Sequence, residues 1–89
     1  MKIREDFVLQ EIADEFIVVP IAKEAERVKG IIKLNETGAY LWRQLSNKDR
    51  TLEEIIHDFA SSYSLDQARA NCEVKAFIYQ IKDFGCIDE

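Results

Sequence analysis

The hydrophobic positions of this chain repeat first with the period of strands and then with that of helices, and the switch falls at Asn35. Phe7-Val8-Leu9-Gln10-Glu11-Ile12 is short, apolar and partly β-branched. Ala13-Asp14-Glu15 reads as a tight connection, and Phe16-Ile17-Val18-Val19-Pro20-Ile21 is a continuous apolar run, so the two runs predict a hairpin. Pro20 has no amide hydrogen for a ladder and belongs near a strand end or at an edge. The polar stretch Ala22 to Arg27 reads as a loop or one helical turn. A third strand is expected from Val28 to Leu34, with Val28, Gly30, Ile32 and Leu34 on one face and Lys29, Ile31 and Lys33 on the other. Gly30 removes side-chain bulk there, which marks a bulge or a close backbone approach.

From Asn35 the period is helical. Asn35 is a good N-cap, because its side-chain oxygen can accept an orphan backbone N–H. Leu34, Gly38, Leu41, Trp42 and Leu45 then fall on one stripe. After the polar break from Ser46 to Arg50, Thr51 and Glu54 form a capping box. The second helix buries Leu52, Ile55, Ile56, Phe59 and Tyr63 and ends in Ser61-Ser62-Tyr63-Ser64. Asp66 caps a third helix that runs to about Phe84 on a stripe of Ala70, Val74, Phe77, Ile78, Ile81 and Phe84. Gly85 sits where a left-handed terminal residue is wanted, and Cys86-Ile87 folds the tail back. Three short strands followed by three helices make an α+β domain, a small antiparallel sheet on a helix cluster, winged-helix-like with the wing at the front of the chain.

Length and charge narrow the function. Eighty-nine residues make a single domain, residues 1–89, too short for a core plus a deep catalytic cleft. The net charge of −5 disfavours nucleic acid, whose binding draws on phosphate neutralisation, and anionic membrane surfaces. The start, MKIREDF, carries acids too early for a secretory signal, which makes the cytoplasm the expected compartment and Cys72 and Cys86 free thiols.

The search for chemistry finds little. His57, the single histidine, stands at neither i+3 nor i+4 from a cysteine and reads as an ordinary helix residue. Two cysteines and one histidine lack zinc-ligand spacing, and Gly38 lacks the second Gly, the Lys and the Ser/Thr of a phosphate loop. Gly38 instead reads as steric relief inside the first helix. Ser61, Ser62 and Ser64 have no acid–base partner, and the acid pairs Glu53-Glu54 and Glu24/Glu26 read as solvated faces and caps. No residue set reads as catalytic and no cofactor is implied. A winged-helix DNA-binding regulator would read bases with the start of the third helix, but Asp66-Gln67-Ala68-Arg69-Ala70-Asn71-Cys72-Glu73 offers one Arg among acids. A purely structural subunit that scaffolds a partner enzyme is a third reading. Peptide capture suits the elements better: a small sheet leaves unpaired edge N–H and C=O groups, and a neighbouring helix supplies side-chain pockets. A bare edge can equally pair with a second copy to give a homodimer.

Leu34-Asn35-Glu36-Thr37-Gly38-Ala39-Tyr40-Leu41-Trp42 resembles the L-N-x-T-G-x-x-hydrophobic-W signature of the PqqD-like family, named for pyrroloquinoline quinone synthesis protein D. The similarity continues at Thr51-Leu52-Glu53-Glu54-Ile55-Ile56, Tyr63-Ser64-Leu65-Asp66, Val74-Lys75-Ala76-Phe77-Ile78 and Phe84-Gly85-Cys86-Ile87, nearly the whole chain. It departs at Glu73, where the family often has Asp, and at Gln67, where it often has Pro. The resemblance implies a RiPP recognition element, where RiPP denotes a ribosomally synthesised and post-translationally modified peptide. Such a domain is non-catalytic. It binds the leader segment of a precursor peptide as an added strand and presents the peptide to a modifying enzyme, often a radical S-adenosylmethionine protein. Carried onto this chain, the resemblance puts Gly30, Ile31, Ile32, Lys33 and Leu34 along the leader backbone. One flank of the third helix would line the groove: Glu73, Ala76, Phe77 and Gln80, or alternatively Asn71, Val74 and Ile78. Trp42, Leu41 and Leu45 are expected in the core, and Tyr40 and Tyr79 either as half-buried aromatics or as exposed contact area for the modifying enzyme.

Overall fold

The computed structural model describes residues 1–21 and 30–88. Among these residues, five strands and three helices follow in order: β1 (Lys2–Ile3), β2 (Phe7–Ile12), β3 (Glu15–Pro20), β4 (Ile32–Leu34), α1 (Glu36–Asn47), α2 (Leu52–Tyr63), α3 (Gln67–Asp83) and β5 (Ile87–Asp88). The stretch from Ala22 to Arg27 and the expected strand start at Val28 and Lys29 lie outside the described residues, as do Glu24 and Glu26.

The hairpin forms as its sequence pattern indicates. Phe7 pairs with Pro20 and Ile12 with Glu15 across the two-residue turn Ala13-Asp14. Both turn residues have positive φ, 49° and 68°, the backbone whose twist matches that of flanking strands. β4 adds antiparallel on the far side of β3, pairing Phe16 with Leu34 and Val18 with Ile32, so the sheet order is β2-β3-β4. Pro20 lies beyond that last pair, where its missing donor breaks no β3–β4 bond. Among the described residues, Gly30 turns at φ +104° and regular pairing begins at Ile32.

Strand alternation puts Phe7, Leu9, Phe16, Val18, Ile32 and Leu34 on the sheet face that meets the helices. Against them pack Leu41, Trp42 and Leu45 of α1, Ile55, Ile56 and Phe59 of α2, and Ala70, Val74, Phe77 and Ile81 of α3. Ile78 and Phe84 are half-buried at the rim of this core, Phe84 meeting the Phe7 ring edge-on at 5.9 Å. All three helix starts are capped by the residues their sequence marks: Asn35 accepts from Gly38 N, Thr51 and Glu54 cap each other, and Asp66 accepts from Arg69 N. α2 ends on Ser64 in the left-handed region, and Gly85 follows α3 at φ +93°.

The tail does fold back, and it does so as a strand. β5 pairs with β1, Ile3 opposite Ile87, and Arg4 N donates to the Cys86 carbonyl at 2.8 Å. This ribbon fastens the two ends of the described chain to each other. Buried Arg50 fastens the same region from the side. Its backbone N–H donates to the Met1 carbonyl, and its guanidinium reaches Gln44 Oε1 at 2.6 Å and the Asp58 carboxylate.

Candidate functional site

The sheet leaves one margin of β4 without a strand partner among the described residues. Beside that margin opens a groove of about 420 Å³ with three walls. Lys33 and Leu34 contribute the strand wall. Asn35, Thr37, Gly38 and Leu41 contribute the first turns of α1. Glu73, Ala76, Phe77 and Gln80 contribute α3.

Each wall follows from local sequence. Asn35 comes directly after Leu34, so its cap starts α1 at the very end of the strand and turns the helix across the groove floor. Asn35 Oδ1 accepts from Gly38 N at 2.8 Å and from Thr37 Oγ1 at 3.0 Å, which pins that first turn. Gly38 is buried against Leu34, and a Cβ there would stand in unusually tight contact with the strand, so its absence lets strand and helix come close. On α3 the four lining residues stand at i, i+3, i+4 and i+7, one stripe about 10 Å long. That length matches roughly three residues of extended chain. The stripe grades from the Glu73 carboxylate through exposed Ala76 and buried Phe77 to the Gln80 amide. Phe77, Leu41 and Leu34 are buried and make an apolar floor; the small side chain of Ala76 keeps it open.

The groove is chemically quiet. Its ionisable side chains are Lys33 and Glu73. The Lys33 ammonium is 3.2 Å from Glu15 on the neighbouring strand, and Glu73 is reached by Arg69 at 3.7 Å one turn earlier in α3. His57 is exposed on α2 next to Asp58 and does not line the groove. Burial pushes the Cys86 thiol up to about 12, and Cys72 is exposed. Among the described residues no group of His, Cys, Asp and Glu could hold a metal ion, and no helix is long and apolar enough to cross a membrane. What the arrangement offers is backbone hydrogen-bonding groups along a strand, an apolar floor and polar ends. That combination suits the groove to seating an extended segment of chain.

The residues singled out from sequence divide in two. Lys33, Leu34, Glu73, Ala76, Phe77 and Gln80 come together in the groove. Gly30, Ile31 and Ile32 do not line it: Gly30 sits at the bend, Ile31 is 53% exposed, and Ile32 points into the core. Of the alternative flank of α3, Val74 is fully buried and neither Asn71 nor Ile78 lines the groove. Of the two readings held open for these aromatics, Tyr40 takes the half-buried one, with its hydroxyl 2.8 Å from Ser62 Oγ, and Tyr79 the exposed one, at 76%. It stands one position before Gln80, off the core stripe, where a helix turns its residues to solvent. Sequence reasoning missed the α1 wall, Asn35, Thr37, Gly38 and Leu41. The signal was present: a strand ending at Leu34 and a cap at Asn35 leave no room for a connecting loop.

Comparison with known proteins gives two matches. The family model for Coenzyme PQQ synthesis protein D (PqqD) matches residues 15–87. Among solved structures, one described as TbiB1 in complex with the TbiA(beta) leader peptide superposes with a TM-score of 0.72 at 24% identity, over 99% of this chain and 100% of that one. No curated protein matches.

Proposed function

The chain belongs to the PqqD family, and on that premise we propose that it is a non-catalytic RiPP recognition element. It captures the leader segment of a ribosomally made precursor peptide as an added strand on the β4 margin. The observation that carries this reading is the groove itself, where an open strand edge runs beside a capped helix turn and a helical stripe of matching length. Strand addition draws affinity from main-chain hydrogen bonds and specificity from pockets for alternate side chains, and both elements are present here. The superposable TbiB1 structure, described with a leader peptide bound, supports the same assignment.

In this reading Lys33 and Leu34 supply backbone partners to the guest, with Gly30, Ile31 and Ile32 extending the contact along the chain. Glu73, Ala76, Phe77 and Gln80 receive its inward side chains. The product is proximity: a held leader raises the effective concentration of the attached core peptide at a modifying enzyme, which we place in the radical S-adenosylmethionine class, in the cytoplasm. An empty β4 margin can also pair with a second copy, and leader binding would then compete with that homodimer.

The test is calorimetric titration of the full chain with a synthetic leader from a precursor encoded beside it. Micromolar or tighter binding is expected, lost in Ala76→Trp, which fills the groove from its exposed rim while circular dichroism stays native. Binding undiminished by Ala76→Trp would place the peptide elsewhere and refute the reading.

A further inference from the structure

The charge in the groove is unevenly compensated. Lys33 is held at 3.2 Å by Glu15, so its positive charge is locally answered by the sheet. Among the described residues Glu73 is met by Arg69, at 3.7 Å, beyond hydrogen-bonding distance and from a side chain two-thirds exposed. The pair is also oriented against the helix: with Arg preceding Glu by four residues it has the weaker of the two i,i+4 orders, and exposed pairs of this kind contribute little. Glu73 therefore stands half-buried beside the apolar floor with a partner that is easily displaced. The chain as a whole carries −5, which repels an acidic guest and attracts a basic one.

We infer that Glu73 makes the groove selective for a leader segment carrying a Lys or Arg two residues from its apolar anchor. The inference rests on the reading of the groove as an extended-peptide site. The spacing follows from two repeats. On α3, Glu73 lies three and four residues from Ala76 and Phe77, about 4.5–6 Å along the axis. In an extended guest, side chains on one face recur every second residue, at about 6.7 Å. An apolar side chain seated over Ala76, Phe77 and Leu41 thus brings the next side chain on the same face to the Glu73 carboxylate. A guanidinium or ammonium there replaces the weak Arg69 contact with a charge-assisted bond at the edge of an apolar surface.

Selection of a phage-displayed random dodecapeptide library against the full-length protein, Glu73→Lys and Ala76→Trp tests this. The wild-type pool should enrich Lys or Arg two positions from a large apolar residue, and the Glu73→Lys pool Asp or Glu at that same spacing. A synthetic consensus peptide should bind the wild type about tenfold tighter than its Lys→Glu counterpart, with the preference reversed in Glu73→Lys. Pools of equal charge content from wild type and Glu73→Lys, with none from Ala76→Trp, would overturn the role of Glu73 and leave the groove reading standing. Enrichment of the same peptides by Ala76→Trp would overturn both.

Discussion

Gly38 of α1 lies so close to Leu34 of β4 that a Cβ on the glycine would stand 3.3 Å from the leucine Cβ and 3.1 Å from Asn35 Oδ1. The contact joins the last residue of the edge strand to the first full turn of the helix, and the groove floor is built on it. Gly38 is helical and its φ is unexceptional, so the requirement is for space and not for backbone freedom. Alanine would gain nearly 1 kcal/mol of helix propensity. It would also push on a Cβ fixed to the strand backbone and on the oxygen that caps the helix, neither of which is a loose side-chain end. We expect Gly38→Ala to lose about 1 kcal/mol net, a fall in Tm of roughly 4–8 °C for a domain of this size, and Gly38→Val to lose more. Thermal melts of the two variants check the order.

Arg50 gives the fold an acid-sensitive fastening. The Arg50 guanidinium holds the Asp58 carboxyl below its ordinary value, and the backbone and hydroxyl of Thr51 do the same for Glu54. Both groups bind protons more readily in the unfolded chain. Their stabilisation is therefore complete above the ordinary carboxylate range and is lost as pH falls through the depressed folded values. Tm should decline below about pH 4. Arg50→Met keeps the buried bulk and removes the charge that depresses Asp58, so its Tm should decline less steeply between pH 5 and 3. Parallel curves for the two proteins would show that the pair does not carry the acid response.

Thr51→Ala removes the N-terminal cap of α2, which does not line the groove. A loss of about 1 kcal/mol in stability is expected from denaturant titration, with leader affinity unchanged. A parallel loss of affinity would mean that the groove depends on α2 more than its walls indicate.

The two cysteines should separate cleanly by alkylation. Cys86 is buried just before β5, with its thiol pushed up to about 12, whereas Cys72 is exposed on α3. Iodoacetamide at pH 8 should label one thiol in the native protein and both in denaturant, as counted by intact-mass spectrometry. Rapid labelling of both without denaturant would contradict the burial of Cys86.

The elements that sequence revealed are those with a local signature. Asn35, Thr51 and Asp66 marked the helix starts by side-chain chemistry that acts within three residues, and all three caps form. The stripe from Ala70 to Ile81 marked the buried face of α3 by its period. What sequence did not reveal depends on contacts between distant residues. β1 and β5 have two residues each, too few for any alternation to show, and they exist only because Ile3 and Ile87 meet. The start of β4 among the described residues goes with the backbone angle at Gly30, which alternation through Ile32 and Leu34 concealed. For the groove, the family signature placed the strand edge and periodicity offered two flanks of α3. The groove is lined by one of them, Glu73, Ala76, Phe77 and Gln80. The α1 wall went unseen because Leu41 and Gly38 read equally well as core, and they serve as core and floor together.

The central claim is that a guest backbone joins the open margin of β4. Amide hydrogen exchange of the protein, read residue by residue by NMR with and without saturating leader peptide, addresses it directly. On binding, amides among residues 31–35 should slow markedly while Glu73, Ala76 and Gln80 shift. Saturable binding that leaves exchange along β4 unchanged would contradict it.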